Sequence, residues 1–462
     1  MYIIKQAIKQ RRSTLSLKEA IAKIRNRTAN LVVLGAGYVG LPTAAIFADV
    51  GFNVVAVEMK REVVEAINKG KSKFNEPDIG RLVKRNVEAG RLRATQKSFE
   101  ALSHADIIII SVQTPIDKNK NPNLSFLLNA LNSIGKTLKN KLVIVSSTIP
   151  PRTMLERVKP LLESRSGLKA DEDFFLAYVP ERIAPGNTLN EFTKNPRLMG
   201  GISINSTKIA VELFKAVCQT VIKTDASTAE VAKLAENTFR DINIAFANQL
   251  ALISEQHGVD AKEVIKLANT HPRVNIHKPG PGVGGPCLPK DPYLLTHPSK
   301  HMGNDIINAA RQINDYMPKH VVNLIFQALK DASKEVKESR IAILGTTYKG
   351  DVDDSRFSPS EPIIHELIRL GAEVSVYDPL CNKSFGAKRE KHFHQTIKGA
   401  DCLVVMTDHT ELIKLKLKEI KPLMNNKPAI IDGRRMINPY KAEKLGFIYY
   451  GVGFGKSKCE YK

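Results

Sequence analysis

Leu31-Val32-Val33-Leu34-Gly35-Ala36-Gly37-Tyr38-Val39-Gly40 sets the class of this chain. Four apolar residues without polar alternation read as a strand buried on both faces, and they run straight into G-x-G-x-x-G. In that pattern Gly35 permits a tight turn, Gly37 lets a pyrophosphate approach the backbone, and Gly40 allows close packing of helix on strand. The following helix, expected over Tyr38–Val50, offers its free N–H groups and positive end to the phosphates. A second strand, Asn53–Glu58, ends in an acid 18 residues beyond Gly40. An acid at that place accepts from ribose hydroxyls and repels a 2′-phosphate, so the reading is NAD rather than NADP. Glycine-rich turns also occur for purely structural reasons; the strand before and the acid after make this one a cofactor site.

Outward from this unit the pattern repeats. Apolar runs at Ile107–Val112, Leu142–Ser146, Phe174–Val179 and Leu198–Ile202 read as further strands of a parallel sheet with helices on both faces. From Ser227 to His257 there is no Gly or Pro, and Val231, Leu234, Ala235 and Phe239 recur at helical spacing. A helix of this length is nearly three times the average of about 11–12 residues, and such helices span domains or form dimer seams. Gly258 ends it and Asp260 caps a following helix through Ala268. A second α/β unit starts at Arg340, with strands Ile341–Leu344, Glu373–Tyr377, Cys402–Met406 and Ala429–Ile431 and a helix over Pro359–Leu370. The fold class is therefore α/β, two Rossmann-like doubly wound domains joined by a long central helix. The divisions are a basic extension at 1–28, a cofactor domain at 29–222, a helical segment at 223–330 and a nucleotide-fold domain at 331–462.

The bulk properties exclude several classes. The 462 residues contain no apolar run near the roughly 20 residues that span a bilayer, and no apolar leader opens the chain. Five scattered cysteines (Cys218, Cys287, Cys381, Cys402, Cys459) form no C-x-x-C pair, which fits reduced thiols in the cytoplasm. Eleven histidines without H-E-x-x-H or H-x-H give no support for a metal. The net charge of +22 raises nucleic acid or an anionic surface. No nucleic-acid motif accompanies it and the basic residues are spread out, so a lysine-rich solvated surface is the simpler account. Residues 1–28 carry eight Lys or Arg against Glu19 alone. There Ser16 and Glu19 fit a capping box, and Leu17, Ala20, Ile21 and Ile24 share one helix face that packs on its own domain.

Three segments carry chemistry. Cys287 stands in a Gly- and Pro-rich turn, Gly282-Val283-Gly284-Gly285-Pro286-Cys287-Leu288-Pro289-Lys290-Asp291, poorly suited to burying a structural thiol and well suited to a nucleophile. Asp291, four residues on, can orient or deprotonate an attacking group. Lys233 and Asn237 project from one face of the long helix and can both donate to an oxygen gaining charge, unless Lys233 merely pairs with Glu230 or Glu236. Pro180-Glu181-Arg182 follows a strand, where α/β proteins place reacting carboxylates; an ordinary surface loop is the bland alternative.

With these residues in view the chain resembles the UDP-glucose/GDP-mannose dehydrogenase family. The likeness runs from about Leu31 past Arg434. It takes in the glycine loop, Ser147-Thr148-Ile149-Pro150-Pro151, Pro180-Glu181-Arg182, Glu230-x-x-Lys233-x-x-x-Asn237-Thr238, and Gly284-Gly285-x-Cys287-x-Pro289-Lys290-Asp291. It continues through Lys349, Asp353-Asp354-Ser355-Arg356 and Asp432-Gly433-Arg434. The resemblance implies a four-electron oxidation of a nucleotide sugar at C6, through a Cys287 thiohemiacetal and thioester. It implies Lys233 and Asn237 on the oxyanion, Asp291 and Thr148 positioning water or protons, and Glu181 in thioester hydrolysis. Tyr38, Val39, Thr114, Thr148 and Arg356 would join the glycines and Glu58 around NAD. Arg182, Gly284, Gly285, Lys349 and Arg434 would hold a UDP-sugar, and Arg273 would reach the substrate of a neighbouring subunit in a homodimer or larger oligomer. His271-Pro272-Arg273-Val274-Asn275-Ile276 and Glu236-Asn237-Thr238-Phe239-Arg240-Asp241 resemble the branch acting on UDP-N-acetyl-D-mannosamine. Pro286 and Pro289-Lys290-Asp291 look more like the UDP-glucose type, so UDP-glucose and UDP-N-acetylglucosamine stay open. Two other classes remain: a two-electron hydroxyacid-type dehydrogenase, and a nucleotide- or nucleic-acid-binding module without catalysis.

Overall fold

The computed structural model describes residues 17–74, 76–297 and 305–455. They fall in two compact units, those within 1–236 and 293–300 and those within 237–292 and 301–462. Ser16 and Cys459 lie outside the described residues.

The first unit is built on eight strands: β1 (Asn30–Leu34), β2 (Asn53–Val57), β3 (Leu92–Thr95), β4 (Ile107–Ile110), β5 (Leu142–Val145), β6 (Phe175–Tyr178), β7 (Arg197–Gly201) and β8 (Val221–Asp225). Their order is β3-β2-β1-β4-β5-β6-β7-β8, parallel throughout except between β6 and β7. Successive residues of a strand point to opposite faces, so Leu31 and Val33 enter one apolar core while Val32 and Leu34 enter another. In β4 this gives four isoleucines, each at most 2% exposed. Burial of each contributes about 1.5–3 kcal/mol, and an ionised side chain there would leave an uncompensated charge between two apolar layers. A helix over 17–25 packs on this unit, with Leu17 and Ile24 buried in its core and Ala20 and Ile21 against it. The first helix of the sheet, Gly40–Asp49, starts two residues later than the sequence pattern suggests, because Tyr38 and Val39 still belong to the glycine turn.

The second unit carries β9 (Arg340–Leu344), β10 (Glu373–Tyr377), β11 (Lys388–Arg389), β12 (Cys402–Val405), β13 (Ala429–Asp432) and β14 (Ile448–Gly451) in the order β11-β10-β9-β12-β13-β14. All its pairings are parallel. Here Ile341 and Ile343 enter one core, Ala342 and Leu344 the other. The long helix runs Ala226–His257, and Gly258 beyond it adopts φ +70°, the left-handed conformation that ends a helix. Asp260 then accepts from the Lys262 N–H and caps Ala261–Ala268. A second long helix, Asp305–Asp331, was not legible because Pro318 interrupts it. It is fastened to the central helix by a buried pair, Arg311 Nη1 donating to Asp241 Oδ1 at 2.6 Å. Among the described residues no helix is long and apolar enough to cross a membrane.

Candidate active site

The order reversal in the first sheet falls between β1 and β4, and open α/β sheets bind ligands in the crevice beyond such a point. The glycine loop is shaped by close contacts there. Gly35 has φ +91°, and a Cβ on it would lie 2.5 Å from the Ser111 carbonyl oxygen after β4. A Cβ on Gly40 would overlap the Gly35 carbonyl, lying 2.9 Å from its carbon. Around Gly37, by contrast, no atom lies within 4 Å of such a Cβ. Two glycines make the turn possible and the middle one fronts open space. That is the cradle a pyrophosphate needs, and NAD fits it. Glu58 stands one residue past β2 and accepts from the N–H groups of Ala36 (3.1 Å), Met59 (2.9 Å) and Lys60 (3.1 Å). A carboxylate has about four acceptor sites, so capacity remains for ribose.

After β4 and β5 the Ser111–Thr114 and Ser147–Pro151 segments are stitched together. Ser147 Oγ accepts from Val112 N–H and donates to Val112 O, and Thr114 Oγ1 donates to the Thr148 carbonyl at 2.6 Å. Arg152 follows at φ +66°. Glu230, wholly buried, clamps this turn by accepting from Arg152 N–H (2.6 Å) and Met154 N–H (2.7 Å). Burial lifts its carboxyl to about 7 against the pull of those two N–H groups. Lys233, one turn along the helix, therefore has no ion pair with Glu230. Nor has it one with Glu236, whose carboxylate takes Arg182 at 2.7 Å. The solvated-salt-bridge account of Lys233 fails, and its side chain is buried.

Glu181 is not an ordinary loop residue. Its Oε2 meets Arg197 Nη1 at 2.5 Å, and both side chains are under 10% exposed. Its Oε1 accepts from Arg182 N–H. Arg197 also lies over the Phe192 and Phe214 rings, at 4.2 and 5.5 Å. Burial disfavours its charge, but the Glu181 carboxylate outweighs this and leaves its pKa raised. Arg197 was missed in the sequence; its one signal was an arginine opening a strand that is otherwise core.

In the second unit, Cys287 is the one exposed thiol among the described cysteines; Cys218, Cys381 and Cys402 are buried. Its carbonyl accepts from Lys290 and Asp291 N–H, a single helical turn that leads into Asp291–Thr296. Asp291 is fully buried; Oδ2 accepts from Asn237 Nδ2 at 2.6 Å. Its Oδ1 has Lys290 Nζ at 3.4 Å but no aligned hydrogen bond, which leaves an acceptor for an incoming proton donor. Gly284 and Gly285 act by smallness. A Cβ on Gly284 would come 2.5 Å from the Phe357 carbonyl oxygen, and one on Gly285 would strike the Tyr348 ring at 2.8 Å. Gly285 N–H donates to Arg356 O at 2.9 Å. Tyr348, another residue not singled out from sequence, is held neutral by burial, its phenol pushed up to about 12. Arg434 donates to Met406 O and Tyr348 O, and Arg356 pairs with buried Asp354. Lys349 and Arg273 are exposed. Among the described residues no His, Cys, Asp and Glu cluster could hold a metal.

A cofactor sheet whose glycine cradle fits NAD, a second nucleotide-fold sheet, and an exposed thiol beside a buried carboxylate together define an NAD-dependent oxidoreductase with a second nucleotide-binding domain. Three family models match, all of the UDP-glucose/GDP-mannose dehydrogenase family: its NAD binding domain at 29–218, central domain at 227–316 and UDP binding domain at 342–439. A Pyrococcus horikoshii protein named UDP-N-acetyl-D-mannosamine dehydrogenase is 42% identical over 92% of this chain and 99% of its own. The solved structure of the UDP-D-ManNAc dehydrogenase of Pyrococcus horikoshii gives a TM-score of 0.87 at 41% identity, covering 93% of this chain and all of that one. An NDP-N-acetyl-D-galactosaminuronic acid dehydrogenase structure from Methanosarcina mazei gives 0.81 at 35%, covering 96% and 98%. The chain belongs to the UDP-glucose/GDP-mannose dehydrogenase family, and it is an NAD-dependent nucleotide-sugar dehydrogenase.

Proposed function

We propose that this chain oxidises the C6 alcohol of UDP-N-acetyl-D-mannosamine to the carboxylate, with Cys287 as covalent nucleophile. The observation that carries the thiol's role is its exposure in a glycine-pinned turn, four residues from a fully buried carboxylate with a spare acceptor. The sugar rests on the substrate in the names of the related enzymes. NAD, when bound, supplies the hydride acceptor for both oxidations. In the first, C6 loses a hydride and its hydroxyl a proton, giving an aldehyde. The Cys287 thiolate then adds to that carbon, and the new S–C bond converts the aldehyde to a thiohemiacetal that can lose a second hydride. Lys233 and Asn237 donate to the C6 oxygen as it gains charge. Asp291, with Thr148, orients the water whose oxygen replaces sulfur, and Glu181, held in place by its ion pair with Arg197, acts in that hydrolysis. Arg356 serves NAD, and Lys349, Arg182 and Arg434 serve the UDP-sugar.

A second copy packs along the central helix, where Phe239, Phe246 and Ile253 recur every seven residues and are 64%, 51% and 41% exposed. Arg273 from that copy reaches the substrate. The enzyme works in the cytoplasm, where thiols stay reduced.

NADH formed per sugar consumed tests the reading, measured with UDP-N-acetyl-D-mannosamine, UDP-N-acetylglucosamine, UDP-glucose, UDP-galactose and GDP-mannose. Two NADH and a carboxylate are expected with the first, and Cys287→Ser should slow oxidation of the C6 aldehyde at least about a hundredfold. One NADH with an aldehyde product, or a Cys287→Ser enzyme near wild-type rate, would sink the thioester route.

A further inference from the structure

Non-glycine residues avoid positive φ because Cβ crowds the following carbonyl, and for a bulky side chain the conformation is an outlier. Three residues adopt it in the loops after β9 and β13: Asp351 (58°), Phe357 (52°) and Arg435 (54°). Two are held there by visible bonds. Asp351 donates its N–H to His409 Nδ1 at 3.0 Å, and its carboxylate accepts from Thr410 N–H and Oγ1. Arg435 makes a two-pronged pair with Asp260 at 3.0 and 2.8 Å. Phe385, the other aromatic residue at positive φ, packs its ring against the core of the second sheet. Phe357 is the third residue of a turn closed by Ser358 N–H donating to the Ser355 carbonyl at 3.1 Å, a bond that any residue at 357 would leave in place and that gives no reason for a bulky side chain there. Its side chain is 61% exposed, and among the described residues its ring meets no other ring or cation. Gly or Asn would make the same turn with less strain. A bulky aromatic residue kept in such a turn, with its ring left exposed, points to a contact made only with a ligand.

Its surroundings say which ligand. The Phe357 carbonyl abuts Gly284, and the neighbouring Arg356 carbonyl accepts from Gly285 N–H. Phe357 is thus fixed to the chain three residues before Cys287. The sugar C6 must reach the Cys287 sulfur, so the rest of the hexose lies close by. A pyranose presents a patch of C–H bonds on one face, which an aromatic ring covers while excluding water. We propose that Phe357 is a substrate-contacting residue whose ring packs on the C–H face of the hexosyl group while C6 is held at Cys287. This rests on the reading of Cys287 as the nucleophile.

Phe357→Gly separates the ring from the backbone, since glycine accepts φ +52° freely. Calorimetric titration without NAD would compare UDP-N-acetyl-D-mannosamine and UDP-glucose with UDP, which lacks the hexose. Wild type should bind its sugar nucleotide more tightly than the variant by about tenfold, the scale of one aromatic stacking contact. UDP affinity should be unchanged, the melting temperature equal or higher, and Phe357→Tyr should restore sugar binding. Equal losses for UDP and UDP-sugar, no loss for either, or a melting temperature several degrees lower would overturn the proposal. Because binding is read without turnover, a failure of the thioester route would show separately, as a wild-type enzyme that binds the sugar nucleotide and makes no carboxylate.

Discussion

Two alanine substitutions only three residues apart should have opposite consequences. Gly37 fronts open space: a Cβ added there meets nothing within 4 Å. Its φ is not in the left-handed region, so Gly37→Ala costs the fold nothing and restricts the unfolded chain, a gain of about 0.4–1 kcal/mol. That methyl group occupies the volume a pyrophosphate oxygen needs to approach the backbone N–H groups. Loss of one hydrogen bond to a charged group is worth about 1.5–3 kcal/mol, which is about 10- to 150-fold in NAD affinity. Gly40 is the reverse, because its Cβ would overlap the Gly35 carbonyl and force the helix off the strand. Overpacking of this kind costs about 1–3 kcal/mol, or a melting temperature lower by about 2–4 °C for each kcal/mol in a unit of this size. Thermal unfolding and NAD titration by fluorescence separate the two effects. Gly37→Ala should melt at or above the wild-type temperature and bind NAD weakly; Gly40→Ala should melt early. If Gly37→Ala bound NAD as wild type does, or melted as early as Gly40→Ala, the assignment of the open space to pyrophosphate would be wrong.

Two further outcomes follow from buried charge. Burial raises the Glu230 carboxyl from its ordinary 4.5 to about 7 in the folded chain, so the folded state holds more protons between those values. Its contribution to stability is therefore present below about pH 4.5 and lost as pH rises through about 7, by about 3 kcal/mol at most. Glu230→Gln, neutral throughout, should gain on wild type in urea midpoint from pH 5 to pH 8, and a constant difference across that range would refute the clamp's titration. Arg197→Met removes the partner of a carboxylate under 10% exposed and should cost about 3–5 kcal/mol, since a lone buried charge is left. Arg197→Met with Glu181→Gln should recover much of that loss, and unchanged stability in the single variant would show that Glu181 is solvated.

The strands that the sequence revealed most plainly are those buried on both faces. β1, β4, β5, β9 and β12 are apolar runs without alternation, and they lie within two residues of where that pattern puts them. The strands it hid are at edges. In β3 every second residue is polar, β8 is largely exposed, and β11 is two basic residues, so none reads as core. Site residues divide in the same way. Gly35, Gly37, Gly40 and Cys287 are visible because their residue types are improbable for packing at those places. Arg197 and Tyr348 are not, since a long-range partner converts an unremarkable side chain into a buried one. Sequence spacing also suggested that Lys233 could pair with Glu230 or Glu236, and only the fold shows both acids claimed elsewhere.

The two sheets carry the same turn in different states of use. Leu34-Gly35-Ala36-Gly37-Tyr38-Val39-Gly40 after β1 answers to Leu344-Gly345-Thr346-Thr347-Tyr348-Lys349-Gly350 after β9. Gly345 matches Gly35, with φ +93° and a Cβ position that would strike Thr407 after β12. At the middle position, however, Thr347 replaces the glycine that fronts open space; it is buried, and its Oγ1 donates to Lys349 O and faces His409 Nε2. The acid after the second strand has changed as well. Asp378, unlike Glu58, is 3% exposed and accepts from the N–H groups of Thr346, Thr347, Leu380 and Cys381 and from His409 Nε2. His409 Nδ1 accepts from Asp351 N–H, so the Nε2 proton faces Asp378. Burial alone would raise Asp378, but His409 and the backbone N–H groups outweigh it and bring it to about 2. Five donors exhaust a carboxylate's capacity, so Asp378 has nothing left for ribose hydroxyls. The second turn can therefore neither cradle a pyrophosphate at its middle residue nor read a ribose through its acid. What the same fold carries there instead is cationic side chains, Lys349 exposed on the turn itself, Arg356 beyond it paired with Asp354, and Arg434 after β13 donating to the Met406 and Tyr348 carbonyls. A doubly wound sheet that has closed its dinucleotide cradle and braced its acid no longer has the features that fit the first sheet to a dinucleotide, and the family model that matches there is a UDP binding domain.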